Sequence, residues 1–162
     1  MAVIEISKGS NMKYELDKKT GMLMLDRVLY TSTHYPANYG FIPKTLGDDH
    51  DPLDVLVLCA ENIQPLTLVR CYPIGVMKML DGGLGDEKII AMPYGDPTYN
   101  SYTDVSELPK HIFEEIKHFF SVYKNLEGKD TQVDDIDNAI EAVRVIEYCI
   151  KNYKEKYGNK TE

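Results

Sequence analysis

The sequence predicts an α+β fold in which a curled antiparallel sheet or barrel carries helices on its outside. Two observations predict it. Through the first two-thirds of the chain, short apolar or alternating segments are separated by Gly, Pro, Asn and Asp turns, the pattern of strands. In the last third, apolar residues recur every three or four positions, the pattern of helix faces. Runs of strands followed by runs of helices belong to α+β domains. Propensity does not choose between a closed barrel and an open sheet.

The elements follow in chain order. Val3 to Ile6 is a short strand. Met12 to Asp17 is a second strand, closed by the turn Lys18-Lys19-Thr20-Gly21, and Met22 to Leu29 returns from it. Tyr35-Pro36-Ala37-Asn38-Tyr39-Gly40 reads as an aromatic turn. Val55 to Cys59 is a continuous apolar run, expected of a buried strand. Thr67 to Pro73 and Ile74 to Leu80 follow, then a glycine turn at Gly82-Gly83-Leu84-Gly85 and a strand from Lys88 to Met92. Ile112, Phe113, Ile116, Phe119, Phe120 and Tyr123 share a helix face, with Pro109 near its start. Ile136, Ile140, Val143, Ile146, Ile150 and Tyr153 mark a second helix. The acidic run Asp134-Asp135-Ile136-Asp137 before it reads as capping and first-turn dipole chemistry.

Length and composition narrow the function. The 162 residues fit one domain spanning 1–162, and the apolar fraction of 43% is enough for a real core. A net charge of −8 disfavours nucleic acid and anionic membrane surfaces as partners. No apolar run is long enough to span a bilayer, and Met1-Ala2-Val3-Ile4-Glu5 has no basic stretch. Cys59, Cys71 and Cys149 are odd in number and unpaired in spacing, so free thiols in a reducing cytoplasm are expected. Asn159-Lys160-Thr161 matches a glycosylation acceptor pattern that has no meaning in that compartment.

The chemistry concentrates in carboxylates. Asp49, Asp51 and Asp54 lie within six residues in Asp49-His50-Asp51-Pro52-Leu53-Asp54. Aspartates are common in solvated turns. Here Pro52 stiffens the backbone and an apolar strand starts directly after Asp54, so a rigid scaffold can aim the carboxylates. Hard cations such as Mg²⁺ take oxygen ligands of this kind. The segment is not an EF-hand, because Asp54 and Ala60 stand where that loop needs Gly and Glu. Asp81 to Lys88 is a glycine-rich hairpin without a Walker or dinucleotide pattern. If it is extended after the turn, Asp86 and Lys88 share a face, which suits a metal–phosphate pair. Lys13 and Glu15 alternate around Tyr14 and also share a face. Arg27 sits in an apolar stretch between Leu25 and Val28 and needs an anionic partner, either a structural carboxylate or a ligand. His34, His50, His111 and His118 form no zinc pattern, and no nucleophile elbow occurs.

Together these segments resemble the family I soluble inorganic pyrophosphatases, of the compact prokaryotic type. The resemblance runs from about Val3 to about Lys129. It is carried by Asp49-His50-Asp51-Pro52-Leu53-Asp54-Val55, Lys13-Tyr14-Glu15, Asp26-Arg27, Tyr35 to Gly40, Asp81 to Lys88, and His118-Phe119-Phe120-Ser121-Val122-Tyr123-Lys124, in the family's order. It implies an OB-like five-stranded antiparallel β-barrel with flanking α-helices, and hydrolysis of pyrophosphate to two phosphates with several Mg²⁺ ions. It implies that Asp49, Asp54, Asp81 and Asp86 bind metal and that Asp51 is the general base. Lys13, Arg27, Tyr39, Tyr123 and Lys124 would hold phosphate oxygens, while Glu5, Glu15, Tyr35 and Lys88 complete the site. Chains of this type form hexamers, so a homo-oligomer is expected. Two positions depart from the pattern. His50 stands where a small or acidic residue is usual, and Ser7 where Pro is frequent. His50 is expected to be turned away from the ligands by the pleat. A metal- or oligonucleotide-binding barrel and a phosphatase for organic phosphates are the competing readings.

Overall fold

A computed structural model describes residues 1–158. The expected acceptor pattern at Asn159-Lys160-Thr161 lies outside the described residues. The strands are β1 (Ala2–Ile6), β2 (Met12–Leu16), β3 (Leu23–Val28), β4 (Asn38–Phe41), β5 (Asp54–Val57), β6 (Leu68–Val69), β7 (Cys71–Asp81), β8 (Leu84–Gly85), β9 (Lys88–Pro93) and β10 (Thr131–Asn138). The helices are α1 (Lys110–Val122) and α2 (Ala139–Tyr157), with 3₁₀ turns at Val105–Glu107 and Asn125–Glu127.

Strands β7, β9, β5, β4 and β1 lie side by side in that order, β6 follows β1, and β10 flanks β7. Only Arg70 separates β6 from β7 along the chain. The sheet therefore closes on itself, and the five-strand barrel expected from the family resemblance is present. One detail differs from an all-antiparallel barrel: β5 and β9 run parallel. The chain leaves β5, reverses through the long β7, and returns beside β5 in its original direction. The hairpin β2–β3 forms a separate two-stranded sheet.

Both faces of the barrel wall are covered. Leu56, Ile90, Met92, Ile74, Met77 and Met79 pack with Ile116, Phe119 and Phe120 of α1. Val55, Val57, Ile89, Ala91 and Val76 pack with Ala142 and Cys149 of α2. Burial on two faces explains why β5 and β9 are continuous apolar runs. In β1, Ile4 and Ile6 would share a face in a regular strand, yet they join opposite core layers. A bulge between them makes the switch.

Three expectations are corrected. The aromatic turn Tyr35 to Gly40 ends in strand β4, which is fully paired with β1 and β5. Thr67 to Pro73 and Ile74 to Leu80 are not two equal strands: a two-residue β6 is followed by one long β7, bulged between Pro73 and Gly75. The second helix starts at Ala139, and Asp134 to Asp137 lie on β10. The helix is capped by Asn138, whose side chain accepts from Glu141 N at 3.1 Å, and by Asp104, which accepts from Ala139 N at 2.9 Å. Asp135 and Asp137 instead pair with Lys117 and Lys78. The true inner stripe of α2 is Ala142, Val145, Ile146 and Cys149, while Ile140 and Val143 are exposed. Small side chains at Ala142 and Cys149 let the helix lie close to the sheet.

Gly40 sets the spacing between β1 and β4. A Cβ there would lie 1.8 Å from the Val3 carbonyl oxygen, so no side chain fits without parting the strands. We expect Gly40→Ala to destabilise the fold by about 3 kcal/mol or more. The urea midpoint reads this directly, and an unchanged midpoint would mean the strands can separate at little cost.

Candidate active site

The expected site residues converge on one cavity of about 230 Å³ at the barrel mouth. Its wall includes Glu5 of β1, Lys13 and Glu15 of β2, Tyr39 of β4, Asp49 and Asp51 of the loop before β5, Asp54 of β5, Asp81 and Asp86 at the ends of the β7–β8 hairpin, Lys88 of β9, and Tyr123 and Lys124 after α1. Arg27 and Tyr35 do not line it. Arg27 lies opposite Lys13 in the β2–β3 hairpin, and Tyr35 packs 5.2 Å from Tyr39, ring to ring. A larger cleft of about 370 Å³, between His34, Cys59, Tyr99 and α1, holds none of the expected residues. The acidic chemistry sits in the smaller cavity.

Local structure aims each group. Asp81 is delivered by a two-residue turn, in which Gly82 and Gly83 take positive φ and Asp81 pairs with Leu84. That turn needs two left-handed residues, which glycine supplies without strain. The Asp49 loop is closed at its base by Thr45, whose hydroxyl accepts from Leu53 N at 2.9 Å. It is also fastened to α2, through Leu46 N on the Cys149 carbonyl at 2.9 Å and Tyr148 Oη on Asp48 at 3.0 Å. His50 occupies a turn at φ 71°, is exposed, and does not line the cavity. It does face away from the ligands, as expected, but a left-handed turn rather than a pleat makes it do so.

Lysines hold most of the carboxylates. Lys88 Nζ donates to Asp54 at 2.7 Å and to Asp86 at 2.6 Å, with 1% of its side chain exposed. The expected shared face of Asp86 and Lys88 is therefore realised. Lys124 pairs with Asp81, and Lys13 with Glu15 and, at 3.4 Å, with Asp26. Asp51 is largely exposed, and its nearest cation is Lys18 at 4.0 Å. Tyr39 donates its hydroxyl to Asp54.

The titration behaviour reflects crowded negative charge. Burial raises the Asp49 and Asp86 carboxyls above the usual range, and neighbouring carboxylates add to the rise in both. Burial alone would lower Lys88, but Asp54 and Asp86 outweigh it and hold the ammonium above its ordinary value. Burial also raises the Tyr35, Tyr39 and Tyr123 phenols, so all three remain hydroxyl donors at neutral pH. Glu5 is raised to about 7, first by burial, while it accepts from Leu16 N at 2.7 Å.

The donor set fits a hard dication. The cavity wall carries Glu5, Glu15, Asp49, Asp51, Asp54, Asp81 and Asp86 against Lys13, Lys18, Lys88 and Lys124. Carboxylates are in excess over lysines on this wall. Among the described residues, no three acidic, His or Cys side chains form a ready metal cage. Lys88 occupies the space between Asp54 and Asp86.

Two contributors were not legible as site residues. Asp26 bridges Lys13 and Arg27, and Glu127 accepts from Arg27 Nε at 2.8 Å. Asp26 adjoins Arg27 in sequence and could have been weighed with it. Glu127 lies 100 residues from its partner, so no local pattern marks it.

Comparison with known proteins agrees with this geometry. The family model for inorganic pyrophosphatase matches residues 2–154. Soluble inorganic pyrophosphatase 2 of Chlamydomonas reinhardtii is 53% identical over 155 residues, covering 96% of this chain and 81% of that protein. A soluble inorganic pyrophosphatase of Solanum tuberosum is 53% identical over 153 residues, covering 94% and 72%. The solved structure of the Helicobacter pylori inorganic pyrophosphatase superposes with a TM-score of 0.92 at 49% identity, covering 94% of this chain and 92% of that one. The Thermus thermophilus enzyme gives a TM-score of 0.90 at 38% identity, covering 94% and 90%. With the fold, the carboxylate cavity and these relatives in agreement, the chain belongs to the inorganic pyrophosphatase family.

Proposed function

We propose that residues 1–162 work as one domain that hydrolyses pyrophosphate to two phosphates with several Mg²⁺ ions per site. Family membership supports the reaction. The observation that carries the site assignment is the excess of carboxylates in one cavity, interspersed with Lys13, Lys18, Lys88 and Lys124. Pyrophosphate is a polyanion, and an acidic cavity can accept it only through bridging cations.

Asp49, Asp54, Asp81 and Asp86 would hold the metal, since hard dications prefer carboxylate oxygens. Held there, Mg²⁺ would supply charge neutralisation for the phosphates and a water of lowered pKa. Asp51 takes the proton from the attacking water. Its support is that its carboxylate is held by no close ammonium, unlike those of Asp54, Asp81 and Asp86. Lys13, Arg27 and Lys124 neutralise charge on the phosphate oxygens, the protonated Tyr123 hydroxyl donates to them, and Tyr39 would turn its hydroxyl from Asp54 to a phosphate oxygen when substrate is bound. Lys88 spaces Asp54 from Asp86, Glu15 orients Lys13, Tyr35 packs Tyr39 in place, and Glu5 braces β2.

The chain would work in the cytoplasm, where its three free thiols stay reduced. No helix among the described residues is long and apolar enough to cross a membrane. We place it in a homo-oligomer, a hexamer by family resemblance. Exposed Met24, Leu25, Val28 and Tyr30 on the hairpin, and Ile140 and Val143 on α2, support burial of further surface.

The primary test is phosphate release from pyrophosphate, ATP and a simple phosphomonoester, each with Mg²⁺ and with chelator. Activity on pyrophosphate alone, lost with chelator, supports the proposal. Asp54→Ala should nearly abolish Mg²⁺-dependent release, and parental turnover would remove Asp54 from the metal set. Asp51→Asn should lower kcat about 10²–10⁴-fold with little change in pyrophosphate affinity. A loss of affinity with kcat intact would make Asp51 a binding group instead.

Glu5 gives a pH prediction. Its carboxyl rises from an ordinary 4.5 to about 7 in the fold. Below pH 4.5 it is protonated in both states and has no effect. Between pH 4.5 and 7 the unfolded chain loses the proton first, so stability falls as pH rises, and above 7 the penalty is complete. In chelator, Glu5→Gln should be more stable than the parent at pH 8 by at most about 3 kcal/mol, and equal to it near pH 4. Urea denaturation at the two pH values measures this, and an equal gain at both would refute the titration account.

A further inference from the structure

Glu127 lies on the 3₁₀ turn that follows Lys124, outside the cavity wall and outside every motif read from the sequence. It is nonetheless one of the most enclosed carboxylates in the molecule, with 7% of its side chain exposed. Its Oε1 accepts from Arg27 Nε at 2.8 Å. Asp26 takes Nη1 of the same guanidinium. The third edge is different: Arg27 Nη2 is the one buried side-chain nitrogen or oxygen without a partner among the described residues. A guanidinium has fixed planar geometry, so holding two of its edges fixes where the third points. Buried donors are normally satisfied, and one that is not marks a place for a ligand or a strain.

The turn that carries Glu127 is itself rigid. Glu127 N and Lys129 N both donate to the Lys124 carbonyl, at 2.9 and 3.4 Å, and Gly128 closes the turn at φ 69°. Glu127 is therefore held in fixed relation to Lys124. Arg27 belongs to the β2–β3 hairpin, which is a separate sheet from the barrel. The Glu127–Arg27 pair thus joins two anion-binding arms that the backbone does not join.

We propose that Glu127 is a positioning residue for pyrophosphate hydrolysis. It clamps Arg27 by Nε and so sets the distance between Arg27 and Lys124. Without it, Asp26 alone holds the guanidinium. The inference rests on the reading that Arg27 holds a substrate phosphate oxygen.

A double-mutant cycle on the Mg²⁺-loaded protein tests it, with kcat/KM for pyrophosphate as the readout. Glu127→Ala should lower kcat/KM by about 10- to 100-fold, as misplacement of a substrate-orienting group does. Arg27→Ala should lower it at least as far. The double variant should be no worse than Arg27→Ala within about threefold, because Glu127 has nothing left to position. Glu127→Gln keeps an oxygen for Arg27 Nε and should recover most of the loss. Where the alanine variant fails to fold, Glu127→Asp replaces it, and it should lower kcat/KM only while Arg27 is present. A role of Glu127 that does not run through Arg27 would give losses that multiply in the double variant, and that result would overturn the proposal. Near-parental Glu127→Ala beside an impaired Arg27→Ala would also overturn it while leaving Arg27 as a phosphate ligand. Parental kcat/KM in Arg27→Ala would instead remove the role of Arg27 on which the proposal stands.

Discussion

Lys88 is buried between Asp54 and Asp86, at 2.7 and 2.6 Å, and sits over the Tyr39 and Phe120 rings at 5.7 and 5.3 Å. An ammonium group at that depth is tolerable only because two carboxylates hydrogen-bond to it. The dependence also runs the other way. Asp54 and Asp86 come from strands β5 and the β8–β9 junction, and the parallel pairing of β5 with β9 sets Asp54 directly beside Lys88. Without the lysine, two carboxylates would face each other in a poorly solvated space. The barrel can gather acidic groups at its mouth because it buries one fixed cation between two of them. The seven carboxylates of the wall still outnumber its four lysines, and that excess gives a dication a reason to enter.

The excess also explains how the phenols are used. Tyr35, Tyr39 and Tyr123 are buried around the same carboxylates, and burial keeps each hydroxyl protonated. Their rings form one aromatic layer with Phe119 and Phe120, in tilted, stacked and edge-on contacts at 4.8 to 6.1 Å. Core packing and site chemistry are therefore the same residues seen from two sides. The Phe119, Phe120 and Tyr123 stripe of α1 reads as ordinary core in the sequence, and it is core. Only the position of α1 against β10 and the core layer brings the residues that follow it, Tyr123 and Lys124, to the cavity.

What was legible in the sequence follows from the range of the interactions. The alternation of Lys13 with Glu15 and of Asp86 with Lys88 spans two residues, and each pair meets as period-two reasoning expects. The apolar run after Asp54 is visible because it is buried on both faces. Strand β10 was hidden for the opposite reason. Asp134, Asp135 and Asp137 give it the look of a helix start, and the bulge between Val133 and Ile136 breaks its alternation. Strand β4 was hidden inside residues with turn character, Asn38 and Gly40, which occupy a central strand for tertiary reasons: Asn38 accepts from Lys8 N and Ile63 N, and Gly40 admits β1. The Arg27–Glu127 pair was illegible because the sequence fixes only that a half-buried arginine needs an anion, not which one.

The loop that bears Asp49 and Asp51 shows how the fold holds reactive groups without burying them. Gly47 N donates to the Asp51 carbonyl at 2.8 Å, and His50 N donates to the Gly47 carbonyl at 3.1 Å. These bonds need a left-handed residue at position 50, where the chain has His50 at φ 71°. A small or flexible residue would be at ease there, and histidine is one of the side chains that tolerate the conformation best after glycine, asparagine and aspartate. His50 is thus explained by the backbone rather than by the metal. The tight turn sets Asp49 against the cavity, and Asp51, two residues on, stays at its solvent edge. One carboxylate becomes crowded by its neighbours, while the other remains exposed to solvent. The difference in surroundings between two aspartates only two residues apart arises from a single left-handed turn.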